Sequence, residues 1–127
     1  MQWVSSELRQ ADHLILASPI FFMGVTAQVK AMIDRCQALW VMKYVLKLPV
    51  AINPNSRRTG LFISVSGKNH PDLFHPAIAT VKSWFITLGV TYAGDLLFPG
   101  VDKKGSIVND TTALEEAFQA GQTLVQV

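Results

Sequence analysis

The sequence predicts an α/β domain with a parallel sheet and right-handed crossovers, and three observations predict it. Segments with apolar residues at helical spacing alternate strictly with short, continuous apolar runs. Those runs are rich in β-forming residues and uninterrupted by polar positions, as in strands of a parallel sheet covered on both sides. Each is stopped by small or turn-forming residues, Ser18-Pro19 after the first and Ser66-Gly67 after the second.

In chain order, Met1 to Ala11 reads as a helix with Trp3, Val4, Leu8 and Ala11 on one face. Leu14-Ile15-Leu16-Ala17 is the first strand, expected to be buried on both faces. Phe21-Phe22-Met23-Gly24 is an apolar loop, and Thr26 to Trp40 is a helix with Val29, Met32, Ile33, Cys36, Leu39 and Trp40 inward. Lys30 and Asp34 pair at i,i+4 on its other side, worth a few tenths of a kcal/mol. Val41 to Pro54 extends that helix and then becomes an irregular loop. Leu61 to Val65 is the second strand. Leu73 to Leu88 is a helix with Asp72 as its N-cap, Pro76 in its first turn, and Ile78, Val81, Trp84, Phe85 and Leu88 inward. Gly89 stands where a left-handed residue ends a helix. Val90 to Phe98 is a third, more polar strand nearer an edge, and Asn109-Asp110-Thr111-Thr112 opens a last helix to Leu124 with Thr112 and Glu115 at capping-box spacing.

Composition narrows the function. The 127 residues suit a single domain spanning 1–127, and at 50% hydrophobic and 16% charged they cannot form a disordered tail. The net charge of +2 comes from scattered Lys and Arg, which argues against a nucleic-acid groove or a polybasic membrane anchor. No apolar run approaches the ~18 residues of a membrane span, and the N-terminal residues lack the pattern of a signal peptide. One cysteine, Cys36, cannot form an internal disulfide. A soluble cytoplasmic domain is expected, with surplus apolar surface for another chain to cover.

Ligands of parallel sheets sit beyond the carboxyl ends of the strands, which directs attention to Ser18–Val25 and Ser66–Asp72. Ser18-Pro19-Ile20-Phe21-Phe22-Met23-Gly24 displays two aromatics and a methionine where a polar turn is usual. A flat apolar ligand such as an isoalloxazine ring would use that surface; a cap over the core or a subunit interface fits equally. Ser66-Gly67-Lys68-Asn69-His70 offers backbone N–H groups and a cation, suited to a polar ring edge, a phosphate or an ordinary solvated turn. His70 and His75 flank Asp72 without a further clustered ligand, so no metal site is expected. His13 reads as a strand-end residue, and Cys36 as core. Asp34-Arg35 and Lys30 read as a solvated face or an interface. Arg57-Arg58 could meet an anionic nicotinamide cofactor or be a common loop pair. No Walker loop, dinucleotide glycine fingerprint, nucleophile elbow or catalytic carboxylate pair is present.

Ala11-Asp12-His13-Leu14-Ile15-Leu16-Ala17-Ser18-Pro19-Ile20-Phe21-Phe22-Met23-Gly24-Val25-Thr26-Ala27-Gln28-Val29-Lys30, continuing through Ile33-Asp34-Arg35-Cys36-Gln37-Ala38-Leu39-Trp40, resembles the middle of the flavodoxin-like NADPH-dependent FMN reductases. The branch it most resembles is the flavodoxin family proteins related to iron–sulfur flavoproteins. Similarity continues through Arg58–Gly67, Ala79–Leu88 and Pro99-Gly100-Val101-Asp102. The resemblance implies a three-layer α/β/α flavodoxin-like fold. It also implies that Ser18, Pro19, Ile20, Phe21, Phe22, Met23 and Gly24 border FMN, and that Ser66, Gly67 and Lys68 approach it from the next loop. Phe22 replaces a tyrosine common in that loop and so lacks its hydroxyl. The implied activity is oxidoreduction: hydride passes from NAD(P)H as co-substrate to the flavin and then to a small-molecule acceptor. No side chain is implied as acid or base.

The resemblance starts partway along the family. Its first strand, Ser/Thr/Gly-rich phosphate loop, first helix and second strand have no counterpart in this sequence, nor does its cysteine-rich segment. The expectation is an N-terminally truncated sheet keeping the family's strands three, four and five, without an iron–sulfur cluster. Loss of about three charge-assisted phosphate contacts at roughly 1.5–3 kcal/mol each would weaken FMN binding by roughly three to six decades. The alternative reading is therefore a non-catalytic flavodoxin-like domain that oligomerises and binds FMN weakly or not at all. An unpaired first strand implies a homo-oligomer, a dimer or higher, formed through that edge or its adjoining helices.

Overall fold

The computed structural model describes residues 1–126, in the order helix α1 (Gln2–Gln10), strand β1 (His13–Ala17), α2 (Ala27–Arg35), α3 (Gln37–Tyr44), β2 (Thr59–Ser66), α4 (His75–Leu88), β3 (Thr91–Pro99) and α5 (Thr111–Val125). Short 3₁₀ turns precede α4 at Pro71–Phe74 and α5 at Ser106–Asn109. The three strands are parallel in the order β1-β2-β3, with Leu14 opposite Gly60 and Thr59 opposite Thr91. The expected order of strands and helical segments is observed, except that two helices, α2 and α3, stand between β1 and β2.

Phe62 is fully buried against Val81, Trp84, Phe85 and Leu88 of α4 and Leu39 of α3, with Cys36, Leu8 and Val50 closing the cluster. Strand side chains alternate between faces, so Leu61, Ile63 and Val65 look the other way. That face is covered by α5, which packs on β2 and β3 through Ala113 and Leu124. The result is three layers. Gly60 lets a core ring lie flat on the sheet, since a Cβ there would stand 2.3 Å from Phe85 Cε2.

Local chemistry sets the helix ends. The Thr26 side chain accepts from the Val29 N–H, and Gly89 takes the left-handed conformation (φ 71°) that ends α4. Several expectations are corrected. Ile15 is 56% exposed and Ala17 is also exposed, because β1 is an edge strand beyond the reach of α5; only Leu14 and Leu16 face the core. The helix expected over Thr26–Trp40 breaks at Cys36, where ψ is 3°, and resumes as α3 with Cys36 and Leu39 both buried. Asp72 caps nothing: its own N–H donates to His70 Nδ1, and a 3₁₀ turn intervenes before α4. The last helix is capped by Asp110, which accepts from the Ala113 N–H at 3.0 Å, leaving Thr112 inside the first turn. Trp3 projects into solvent rather than joining Leu8.

Arg58 is the largest departure. It is buried at the amino end of β2, and its guanidinium donates to the carbonyls of Ala11 (2.8 Å), Leu88 (2.6 Å) and Leu8. It thereby meets the carboxyl-terminal carbonyls of α1 and α4, where helix dipoles favour a cation. That is the end of the sheet opposite the one where ligands bind, so Arg58 is a structural clamp and not a cofactor contact.

Candidate functional site

The chain leaves β1 through Ser18, whose polar atoms are all used internally. Its hydroxyl donates to the Pro19 carbonyl and accepts from the Thr26 N–H, and its carbonyl accepts from the Ser64 hydroxyl at 2.7 Å. The Ile20 N–H donates to the Val65 carbonyl, so the loop stays in register with β2 for two further residues. Phe21 and Gly24 then exchange hydrogen bonds (3.0 and 3.1 Å) around Phe22 and Met23, which have φ of 50° and 65°. Two consecutive positive φ values inside a reciprocal pair make a type I′ turn, a geometry that favours Asn-Gly. Here it is built from two residues that pay a steric penalty for adopting it. Phe22 is fully exposed at 106%, with no packing to compensate.

Across from this turn, the loop after β2 is braced by the loop after β3. The Val101 N–H donates to the Ser66 carbonyl at 2.8 Å, and Gly100 N–H and the Ser66 hydroxyl both donate to the Lys68 carbonyl. Between the loops lies an open cavity of about 860 Å³, lined by Ile20, Phe21, Phe22, Ser66, Gly67 and Lys68, with Val25, Ala27, Lys30, Leu73 and Asp102. A second hollow of about 520 Å³ adjoins it across Ile20, Phe21, Gly67 and Asp102, and carries Lys103 and Lys104. Pro19 lines this second hollow. The structure thus brings together six of the ten expected site residues in the main cavity and Pro19 beside it. Ser18, Met23 and Gly24 shape the turn without lining the cavity.

Sequence reasoning missed Asp102 as a cavity residue. A Cβ on Gly67 would stand 3.0 Å from Asp102 Oδ1, so a glycine is what lets that carboxylate sit over the loop. The only signal was that Asp102 closes the Pro99–Asp102 motif. His70 and His75 flank Asp72 at 4.0 and 3.8 Å on the surface nearby. Among the described residues, no cluster of three or more His, Cys, Asp or Glu is placed to hold a metal. His13 bonds Thr59 through Nδ1 at 2.8 Å, and Lys30 pairs with Asp34 at 2.7 Å. Groups with displaced titration lie elsewhere. Burial pushes the Cys36 thiol up, and burial with the bond to Asp95 raises Tyr92 well above the phenol range.

The cavity has an apolar shelf at Ile20, Phe21 and Phe22 and a cation at Lys68, and the Asp102 carboxylate occupies the space over Gly67.

A parallel sheet between two helical layers, with an open cavity beyond the carboxyl ends of its strands, is the architecture of a flavodoxin-like domain. The sequence profile described as NADPH-dependent FMN reductase matches residues 1–100, and the chain belongs to that family. It is 43% identical over 37 residues to an iron-sulfur flavoprotein of Archaeoglobus fulgidus, a stretch covering 29% of this chain and 19% of that protein. Among solved structures it is similar to a flavone reductase, with a TM-score of 0.72 at 18% identity, covering 98% of this chain and 45% of the other. It is also similar to the Trp repressor binding protein of Bacillus subtilis, with a TM-score of 0.67 at 26% identity over 91% of this chain and 72% of that one. The chain therefore spans about a fifth of the archaeal relative and under half of the flavone reductase. No helix among the described residues is long and apolar enough to cross a membrane.

Proposed function

We propose that this chain supplies the ring-binding part of an FMN-dependent NAD(P)H oxidoreductase acting in the cytoplasm on a small-molecule acceptor. The observation that carries the reading is the strained Phe22-Met23 turn, which holds an unpacked aromatic beside an open cavity of about 860 Å³. Strain of this kind persists where the surrounding structure enforces it, and it clusters at ligand sites. When bound, FMN supplies the hydride-accepting chemistry.

The chain's own residues position and shield. Phe21 and Phe22 offer the apolar face, and Lys68 places a positive charge at the mouth. Asp102 lines the same cavity and so limits how much negative charge it favours. Lys103 and Lys104, exposed in the adjoining hollow, provide cations for the phosphates of either nucleotide. No residue is assigned to move a proton.

Titrating FMN with the purified 127-residue protein, followed by flavin fluorescence and visible absorption, tests the reading. Saturable quenching with perturbed absorption bands is expected. No binding at tens of micromolar would overturn it and favour the non-catalytic alternative.

A further inference from the structure

From Arg35 to Pro71 the chain carries six Lys and Arg and neither Asp nor Glu. The loop after α3 lies within this stretch, and Tyr44 to Pro49 are all exposed. Val45, Leu46, Leu48 and Ile52 are 61%, 59%, 51% and 55% exposed. They do not belong to a frayed end. The Val45 and Leu46 N–H groups both donate to the Val41 carbonyl, Leu48 N–H donates to the Met42 carbonyl, and Ile52 N–H donates to the Arg9 carbonyl. Lys47, between the two leucines, has a φ of 56°, a left-handed conformation that glycine adopts without steric cost. Lys43, Leu48, Pro49 and Pro54 border one shallow hollow of about 180 Å³, so the end of α3 and both limbs of the loop share a surface. Arg58 and Gly89 border it too, which puts this surface at the amino end of the sheet, away from the cavity.

The geometry points to a peripheral membrane-docking surface, whose partner is the headgroup region of a bilayer containing anionic phospholipid. Three features select that partner. Apolar side chains held outward by a closed backbone can enter the acyl boundary without a further ordering cost in the loop. Tyr44 packs at 5.2 Å on Trp40, with Lys43 over the Tyr44 ring, and Trp and Tyr are the aromatics that settle at headgroup level. Lys47 can lay its stem along the leucines and reach a lipid phosphate with its ammonium. Two cations are too few for a polybasic anchor, so apolar insertion supplies the affinity and charge supplies the choice of lipid. A second copy of the chain fits poorly. A two-fold contact would press Lys43 and Lys47 against their own equivalents, with no acid in the loop to offset them. Docking through the amino end leaves the cavity at the carboxyl end open to water.

Co-sedimentation of the 127-residue protein with vesicles tests this, using phosphatidylcholine alone and an equimolar mixture with phosphatidylglycerol. On the mixture, half of the protein should pellet at on the order of 0.1 mM lipid, the strength of a single acyl chain. Pure phosphatidylcholine should require at least about tenfold more, since each cation near an anionic surface is worth about fivefold. Leu46→Glu combined with Leu48→Glu should abolish pelleting and leave far-ultraviolet circular dichroism unchanged, because both side chains are exposed. Lys47→Gly should cut binding to the mixed vesicles about fivefold without lowering the melting temperature, since glycine accepts the left-handed φ. A protein that stays in the supernatant with both vesicle types overturns the proposal and leaves the surface for a polypeptide. So does pelleting indifferent to the leucine substitutions, which would be charge attraction through another face.

Discussion

Replacing Phe22 with Asn should stabilise the fold and weaken flavin binding together. A residue with a Cβ in the left-handed region costs about 1–2 kcal/mol, and Asn visits that region far more readily. Phe22 is fully exposed, so its removal forfeits no burial in the free protein. The expected gain is about 1 kcal/mol, which for a domain of this size raises Tm by about 4 °C. In urea the midpoint should rise with an unchanged slope, since neither compactness nor two-state behaviour is altered. Binding moves the other way. A phenyl ring covering on the order of 60 Å² of flavin contributes about 1.5 kcal/mol at 25 cal/mol per Å². Its loss raises the FMN dissociation constant about tenfold. Phe22→Ala separates the effects, because alanine keeps the left-handed penalty and lacks the ring: stability should stay within about 0.5 kcal/mol while binding falls as before. Destabilisation by Phe22→Asn, or FMN affinity unchanged in both variants, would refute the assignment of this turn as a strained ligand shelf.

Other perturbations probe the frame around the site. Arg58→Met should cost about 3–5 kcal/mol in urea unfolding, because it strips a buried cation from three helix-end carbonyls; a loss under 1 kcal/mol would mean that water replaces it. Gly60→Ala should cost about 3 kcal/mol or more, since the Phe85 ring cannot retreat within a fully packed core, and a near-neutral result would show slack there. Asp102→Asn should tighten FMN several-fold by removing a negative charge from the cavity wall, with the effect shrinking as salt rises. Alkali should destabilise the chain. Cys36 and Tyr92 both titrate higher when folded, so their contribution is complete below the ordinary thiol value of 9.0 and is lost as pH climbs from there through the folded values. A melting temperature flat from pH 8 to 11 would contradict that.

What the sequence made legible was what short-range pattern encodes. The alternation of elements, the inward face of α4, the stop at Gly89 and the two loops beyond the strand ends all follow from spacing and turn chemistry. Features that depend on distant partners were not legible. An apolar run such as Leu14–Ala17 reads the same in a central strand and in an edge strand with one open face; only the reach of α5 decides. Asp102 enters the cavity through the bracing of one loop by another more than thirty positions away. The turn at Phe22-Met23 was hidden because its residues are the wrong ones for its geometry, and the loop looked merely apolar. Arg58 shows the converse error: a pair of arginines in a polar stretch resembles an anion site until the ends of two helices are seen to converge on it.

These contrasts assign the two ends of the sheet to different work. At the amino end, Arg58 satisfies carbonyls of two helices and Gly60 admits the Phe85 ring, so these two residues relieve an unmet group and a clash, although Lys47 in the loop after α3 also takes a left-handed φ of 56°. At the carboxyl end the unusual residues do the reverse. Phe22 and Met23 adopt backbone angles that cost energy, and Phe22 gains no contact in return. Selection for folding alone would replace that turn with Asn-Gly, since the change is short, local and stabilising. The strain at Phe22 and Met23 is what the proposed flavin site would account for, because a ring stacked on the exposed phenyl face returns the contact that the turn forgoes.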